Sequence, residues 1–209
     1  LPGSDLDTYE EAITCYRLSL DMLGPDNRRE KARVLYFLGV TYSDRNKGDR
    51  GENTSIAIDH IERSLDILDE EKDPGLFATS LITLGKLISN RPTGSIRENI
   101  EEALRIFDRA AQLLNSDKSQ FTWLALQIYK ADTLAKRELG TKRENLSRAF
   151  ALINEIRPSL NTDAHRRLKA ELLEVEFHCH LDQVTGDPEF NFAKAIAVSK
   201  DLLDLVTEL

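Results

Sequence analysis

The residues best equipped for chemistry are His178-Cys179-His180. Two imidazoles and a thiol are ligand types of transition-metal sites, and a Cys/His pair can also serve as nucleophile and base. Either use requires the side chains to converge. On a helix, neighbours at i and i+1 point about 100° apart and those at i and i+2 about 200° apart, so these three diverge. The remaining histidines, His60 and His165, stand in no HxxxH spacing with them. The tripeptide is expected to be structural, with Cys179 partly buried and no metal bound. A metal- or thiol-dependent enzyme centred on it is the alternative reading.

Other catalytic patterns are missing from the sequence. Gly48-Asp49-Arg50-Gly51 is too short and too charged for a phosphate loop, and neither a GxxxxGK[ST] nor a Gly-x-Ser-x-Gly element occurs. The carboxylate pairs Glu10-Glu11, Glu70-Glu71 and Glu101-Glu102 fall at helix starts or ends, where the macrodipole and solvent account for them. No catalytic residue, cofactor or metal is expected. Trp123, the lone tryptophan, opens a helix and is read as a packing residue rather than a partner anchor.

The elements that carry these residues follow a repeat. Glycines stand at 3, 48, 94, 140 and 186, spaced by 45, 46, 46 and 46 residues. Five residues after each stands Thr8, Asn53, Asn99, Asn145 or Asn191, and four further on Ala12, Ala57, Ala103, Ala149 or Ala195. Gly tolerates positive φ and so can stop one helix and redirect the chain. The Thr or Asn is expected to cap the next helix, with Thr8…Glu11 and Asn99…Glu102 as capping boxes. The alanine sits one turn in, where a small side chain lets two helices approach. A second small residue follows at Ser19, Ser64 and Ala110, replaced by Ile156 and Leu202 in the last two copies.

This second helix of each period, helix B, keeps helical apolar spacing, as at Ala57, Ile61, Ser64, Leu65 and Leu68. Helix A is clearest at Leu35, Leu38, Gly39 and Tyr42 and at Leu81, Leu84, Gly85 and Ile88; in the third copy Ala131 replaces the glycine. The fourth, around Leu168–Cys179, has no clear register. Asp73-Pro74-Gly75 and Arg157-Pro158-Ser159 mark turns from B to A. The expected fold is all-α, with about nine helices in a single array over 1–209. Its units are 1–27 (partial), 28–73, 74–119, 120–163 and 164–209.

Composition narrows the function classes. The net charge is −8 and the pI about 5.1, against the clustered basic face that grips nucleic acid. Arg28-Arg29-Glu30-Lys31-Ala32-Arg33 and Lys142-Arg143 sit among acids and read as solvated faces. No apolar run approaches the roughly 18 residues of a membrane span, and residues 1–25 lack a signal-peptide pattern. Two distant cysteines, Cys15 and Cys179, fit reduced thiols of a cytoplasmic protein. No nucleic-acid or membrane partner is expected.

Leu38-Gly39-Val40-Thr41-Tyr42 with Ala57 and Ser64 resembles the tetratricopeptide repeat, in which such an element of helix A packs on small residues of helix B. The 46-residue period is about 12 longer than the family's usual one. Gly48-Asp49-Arg50-Gly51-Glu52-Asn53 resembles the linker of long bacterial variants, echoed in Arg97-Glu98-Asn99 and Arg143-Glu144-Asn145. The resemblance implies a right-handed superhelix (an α-solenoid) whose A helices line a groove for a protein or peptide partner. It also implies a scaffold or regulatory role, often beside a CHAT-type peptidase or NTPase module. Carried over, the groove positions are Arg33, Tyr36, Val40, Ser43 and Asp44, then Thr79, Ile82, Lys86, Ser89 and Asn90. Arg33, Tyr36 and Val40 stand where carboxylate-clamping members carry Lys and Asn, so an internal segment of a partner, or another domain of the same polypeptide, is the implied occupant. The chain opens inside an A–B linker, which leads to the expectation that it belongs to a longer polypeptide.

Overall fold

Straight-chain helix formers and alanine dominate this sequence, and Gly48, Gly94, Gly140 and Gly186 stand in the linkers between helices. The computed structural model describes residues 5–114, 120–160, 163–183 and 186–207, and among them every regular element is helical. Two compact units result, 1–114 and 115–209.

Unit 1 contains α1 (Asp5–Met22), α2 (Arg28–Asp44), α3 (Arg50–Ile67), α4 (Pro74–Ser89) and α5 (Ile96–Leu113). Unit 2 contains α6 (Gln120–Lys136), α7 (Lys142–Ile156), α8 (Arg166–Leu181) and α9 (Pro188–Thr207), with short 3-10 segments at Arg157–Leu160 and Asp163–His165. The first of these 3-10 segments is the Arg-Pro-Ser turn, and Pro74 opens α4 at the position where its missing N–H costs nothing.

The helix starts set the register. A helices begin at Arg28, Pro74, Gln120 and Arg166, and B helices at Arg50, Ile96, Lys142 and Pro188, each series stepping by 46. The fourth helix A therefore keeps phase. Its sequence hides this because Phe177 occupies the position of Gly39, Gly85 and Ala131.

Consecutive helices pack within each unit, and successive A helices also touch, α2 on α4 and α6 on α8. The alanines Ala57, Ala103, Ala149 and Ala195 are buried, as the spacing predicts. At Gly39 an added Cβ would lie 2.8 Å from Ile61 Cδ1 and 3.0 Å from the Ala57 carbonyl oxygen; at Gly85 it would lie 2.5 Å from the Phe107 ring. These glycines mark the closest A–B approach, and the fully buried Phe107 and Ile61 fill the space they leave. Ser64, also fully buried, donates its Oγ–H to the Ala32 carbonyl at 2.8 Å and so ties α3 to α2.

Gly48, Gly94, Gly140 and Gly186 all have φ between +80° and +90°, the left-handed turn expected of the linker glycine. Gly3 lies outside the described residues. The cap assignment needs correction. The residues that cap are Asp49, Ser95 and Thr141, immediately after the glycine, each accepting the N–H of Glu52, Glu98 or Glu144 at 2.8, 3.3 and 3.2 Å. Thr141 with Glu144 forms a full capping box. Thr8 and Asn99 lie inside α1 and α5, so Thr8…Glu11 and Asn99…Glu102 are not capping boxes.

The asparagines do a different job. Each sits in the first turn of helix B, buried, with its amide turned back on the linker. Asn53 Nδ2 donates to the Lys47 carbonyl at 2.9 Å, Asn99 Nδ2 to Thr93 at 3.0 Å, and Asn145 Nδ2 to Arg137 and Leu139 at 2.9 Å. Such bonds tie the linker carbonyls to the first turn of helix B. Among the described residues no helix is long and apolar enough to cross a membrane.

Candidate functional site

A helix that gives one stripe to its hairpin partner and another to the next helix has only its remaining face to offer. On α2 and α4 that face carries the groove positions. Arg33, Ser43 and Asp44 are exposed, while Tyr36 and Val40 are half-buried. On α4, Asn90 is exposed, Thr79, Lys86 and Ser89 are half-buried, and Ile82 is buried, 4% exposed. Ile82 therefore belongs to the packing and drops out of the set.

The two helices meet across this face where Thr83 Oγ1 donates to Tyr36 Oη at 3.4 Å. Several hydroxyls are occupied by their own helices: Ser43 Oγ donates to the Val40 carbonyl, Thr79 to Gly75 and Ser89 to Lys86, at 2.8, 2.8 and 3.0 Å. Asn90 Nδ2 also bonds the Lys86 carbonyl at 2.9 Å. Beside Tyr36 lies a residue outside the carried-over set. Phe37, 42% exposed, meets Tyr36 edge-on at 5.4 Å and stacks on Tyr16 of α1 at 6.1 Å. The signal was the adjacency of two aromatics in helix A, but only the packing of α1 on α2 brings in the third ring.

Behind the face, Arg45 organises the first linker. Its Nε pairs with Glu10 at 2.7 Å and its Nη1 donates to Asn53 Oδ1 at 3.0 Å. The Arg45 hydrogen bond holds the Glu10 carboxyl below the ordinary carboxylate range. Tyr42 accepts from Arg17 at 2.6 Å and stacks on His60 at 5.7 Å. Burial, then the nearby Arg63 charge, depresses the His60 pKa.

The tripeptide in α8 disperses. His178 is exposed, Cys179 fully buried and His180 7% exposed. Burial pushes the Cys179 thiol up to about 12, so it is protonated and a poor nucleophile at neutral pH. His180 instead sits beside a part-buried ion pair: its Nε2 lies 3.7 Å from Glu176 Oε1, Glu176 pairs with Arg157, and the Phe150 ring tilts over the imidazole at 4.8 Å. Among the described residues no group of three or more His, Cys, Asp or Glu side chains gathers to hold a metal.

The other charged clusters are also engaged. Arg28 donates to the Ile67 carbonyl and Arg29 pairs with Asp73. Lys142 donates to the Ala135 carbonyl at 2.8 Å and pairs with Asp182 at 2.7 Å. Glu70 pairs with Arg109 at 2.7 Å. Trp123 is half-buried near the start of α6.

Compared with protein-family models, with curated proteins and with solved structures, the chain finds no match.

Proposed function

We propose that the chain is a tetratricopeptide-like binding module that holds a segment of a protein partner along the exposed face of α2 and α4, and that it performs no chemistry of its own. The observation behind this reading is that α2 and α4, though packed on their neighbours, still present part of one face. That face offers a cation at Arg33, an aromatic surface at Tyr36 and Phe37, and polar groups at Ser43, Asp44 and Asn90. Aromatic and Arg side chains of this kind anchor protein interfaces. The 46-residue phase of the hairpins and the Gly39 and Gly85 crossings also support assignment to the tetratricopeptide class, with the right-handed coil of that class. The protonated thiol and the dispersed histidines favour a scaffold over a thiol- or metal-dependent enzyme. A reducing, cytoplasmic setting suits the two free cysteines.

Site-specific photo-crosslinking in the source cells tests the reading. A benzophenone side chain at position 33 or 37 is expected to capture a protein partner, whereas one at Arg63 on α3 is not. Arg33→Glu with Phe37→Ala should reduce capture at a nearby position about tenfold. Capture confined to position 63, or none at 33 and 37, would refute it.

A further inference from the structure

Between α7 and α9, over α8, lies a cleft of about 410 Å³. That volume falls within the roughly 300–1,000 Å³ of clefts that hold small molecules. Glu176 and His180, both buried, form its floor. Its rim carries Asn154 of α7, Lys194 of α9 and Gln183, which follows α8. Phe150, Ala197 and Val198 supply an apolar wall.

Two periods earlier, unit 1 has the same cleft between α3 and α5, over α4, with Leu84 in its floor. There the rim charges balance: Glu62 and Glu102 stand with Arg105, and Arg91 lies 3.9 Å from Glu102. In unit 2 every one of these positions differs. Glu62 corresponds to Asn154, Arg91 to Gln183, Glu102 to Lys194 and Arg105 to Ala197. Of the rim only Lys194 keeps a charge. The floor changes with it, since Glu176 and His180 stand where unit 1 has Leu84 and Ile88.

The residues one helical turn from Lys194 are Phe190, Asn191, Ala197 and Val198, none of them acidic. Its Nζ lies 4.5 Å over the Phe190 ring, a contact that leaves the ammonium hydrogens for other acceptors. Below it, the charge of Glu176 is already taken by Arg157. His180 is 7% exposed, and its Nδ1 bonds no group of the protein. A polar atom so enclosed ordinarily has a partner. A cation without a carboxylate, two amides, a buried imidazole and an aromatic ring together suit an anion with an apolar body.

We propose that this cleft of unit 2 binds a small organic carboxylate. The carboxylate pairs with the Lys194 ammonium and accepts from the amides of Asn154 and Gln183. The apolar body lies along Phe150, Ala197 and Val198, and His180 supplies a further polar contact at the floor. Every wall belongs to α7, α8, α9 or the residue Gln183, so the site is complete within unit 2. It is independent of the α2–α4 face and of the partner proposed for that face.

Sodium hydrocinnamate serves as the probe, and hydrocinnamamide, its uncharged counterpart, as the control. Titrated into the isotope-labelled 209-residue chain, the acid is expected to shift the backbone amide resonances of Asn154, His180, Gln183 and Lys194 saturably, in the low-millimolar range or tighter. The amide should bind at least about tenfold more weakly, because it lacks the charged contact. Asn154→Glu with Lys194→Glu, both at exposed positions, copies the rim of unit 1. That variant should lose saturation with an unchanged urea midpoint, while Lys194→Arg keeps it. Absence of saturation, equal affinity for acid and amide, or an unaffected Glu variant overturns the proposal. So do saturable shifts centred on α2 and α4 instead. Binding of an acidic peptide, acetyl-Asp-Phe-amide, without binding of hydrocinnamate would assign the cleft to a protein side chain and overturn it equally.

Discussion

Units 1 and 2 build the same hairpin and differ in what fills its interior. In unit 1 the A–B crossings are dry: Gly39 and Gly85 admit Ile61 and Phe107, and Leu38, Tyr42, Leu84 and Ile88 line the interior. In unit 2 the matching positions are Ala131 and Phe177 at the crossings, while Glu176 and His180 replace Leu84 and Ile88. The comparison teaches that the 46-residue frame does not depend on any one interior residue. Helix starts, the positive-φ glycine and the asparagine clasp persist, and the interior adapts to whatever fills it. A buried carboxylate there is tolerated because Arg157 and His180 lie against it.

The largest effect should come from the dry crossing. Phe107→Ala removes a fully buried ring and is expected to cost about 3–5 kcal/mol in urea unfolding. Gly85→Ala should cost about 1–3 kcal/mol despite alanine's better helix propensity, since the new Cβ meets that ring. Combining the two should give less than the sum of the single losses, and strict additivity would show that Gly85 and Phe107 do not form one contact.

The ionic interior is the next target. Glu176→Ala strands His180 and Arg157 and should cost about 1–3 kcal/mol, with the exposure of Arg157 keeping the figure low. Glu176→Leu with His180→Ile copies the floor of unit 1 and should be neutral or stabilising. A clear loss for that pair would mean the polar interior is required by its local packing.

Smaller still is the clasp. Asn99→Ala gives up the carbonyls of Arg91 and Thr93 and the Arg91 guanidinium at 2.5 Å, worth about 1–2 kcal/mol. Ser95→Ala should cost about 1 kcal/mol, the ordinary value of an N-cap. If Ser95→Ala proved costlier than Asn99→Ala, the cap would be the stronger of the two roles.

The smallest effect is a pH dependence. His60 has a folded pKa below its unfolded value, so the unfolded state binds more protons between the two. The resulting stability is present above about pH 6.5 and declines as pH falls below it. His60→Gln should flatten that part of the curve of urea midpoint against pH, and an unchanged slope would exclude His60 as its source.

The sequence by itself determined the all-helical class, the period, the linker glycines and the buried alanines. These features depend on local backbone preference and on periodicity, both of which one strand of text displays. It misplaced the caps, because Asp, Asn, Ser and Thr serve equally as caps and as clasps and their spacing from the glycine does not tell which. It lost the fourth register at Phe177, since a large residue at a small-residue position is interpretable only beside the helix that accommodates it. On the candidate face the family resemblance supplied the A-helix positions, but burial of Ile82 and the Tyr16–Phe37–Tyr36 contact followed only from helix packing. The pairing of Glu176 with Arg157 was likewise decided by tertiary structure. Desolvation and contact across helices are properties of neighbours in space, and residues 19 apart in sequence become partners only when the hairpin has closed.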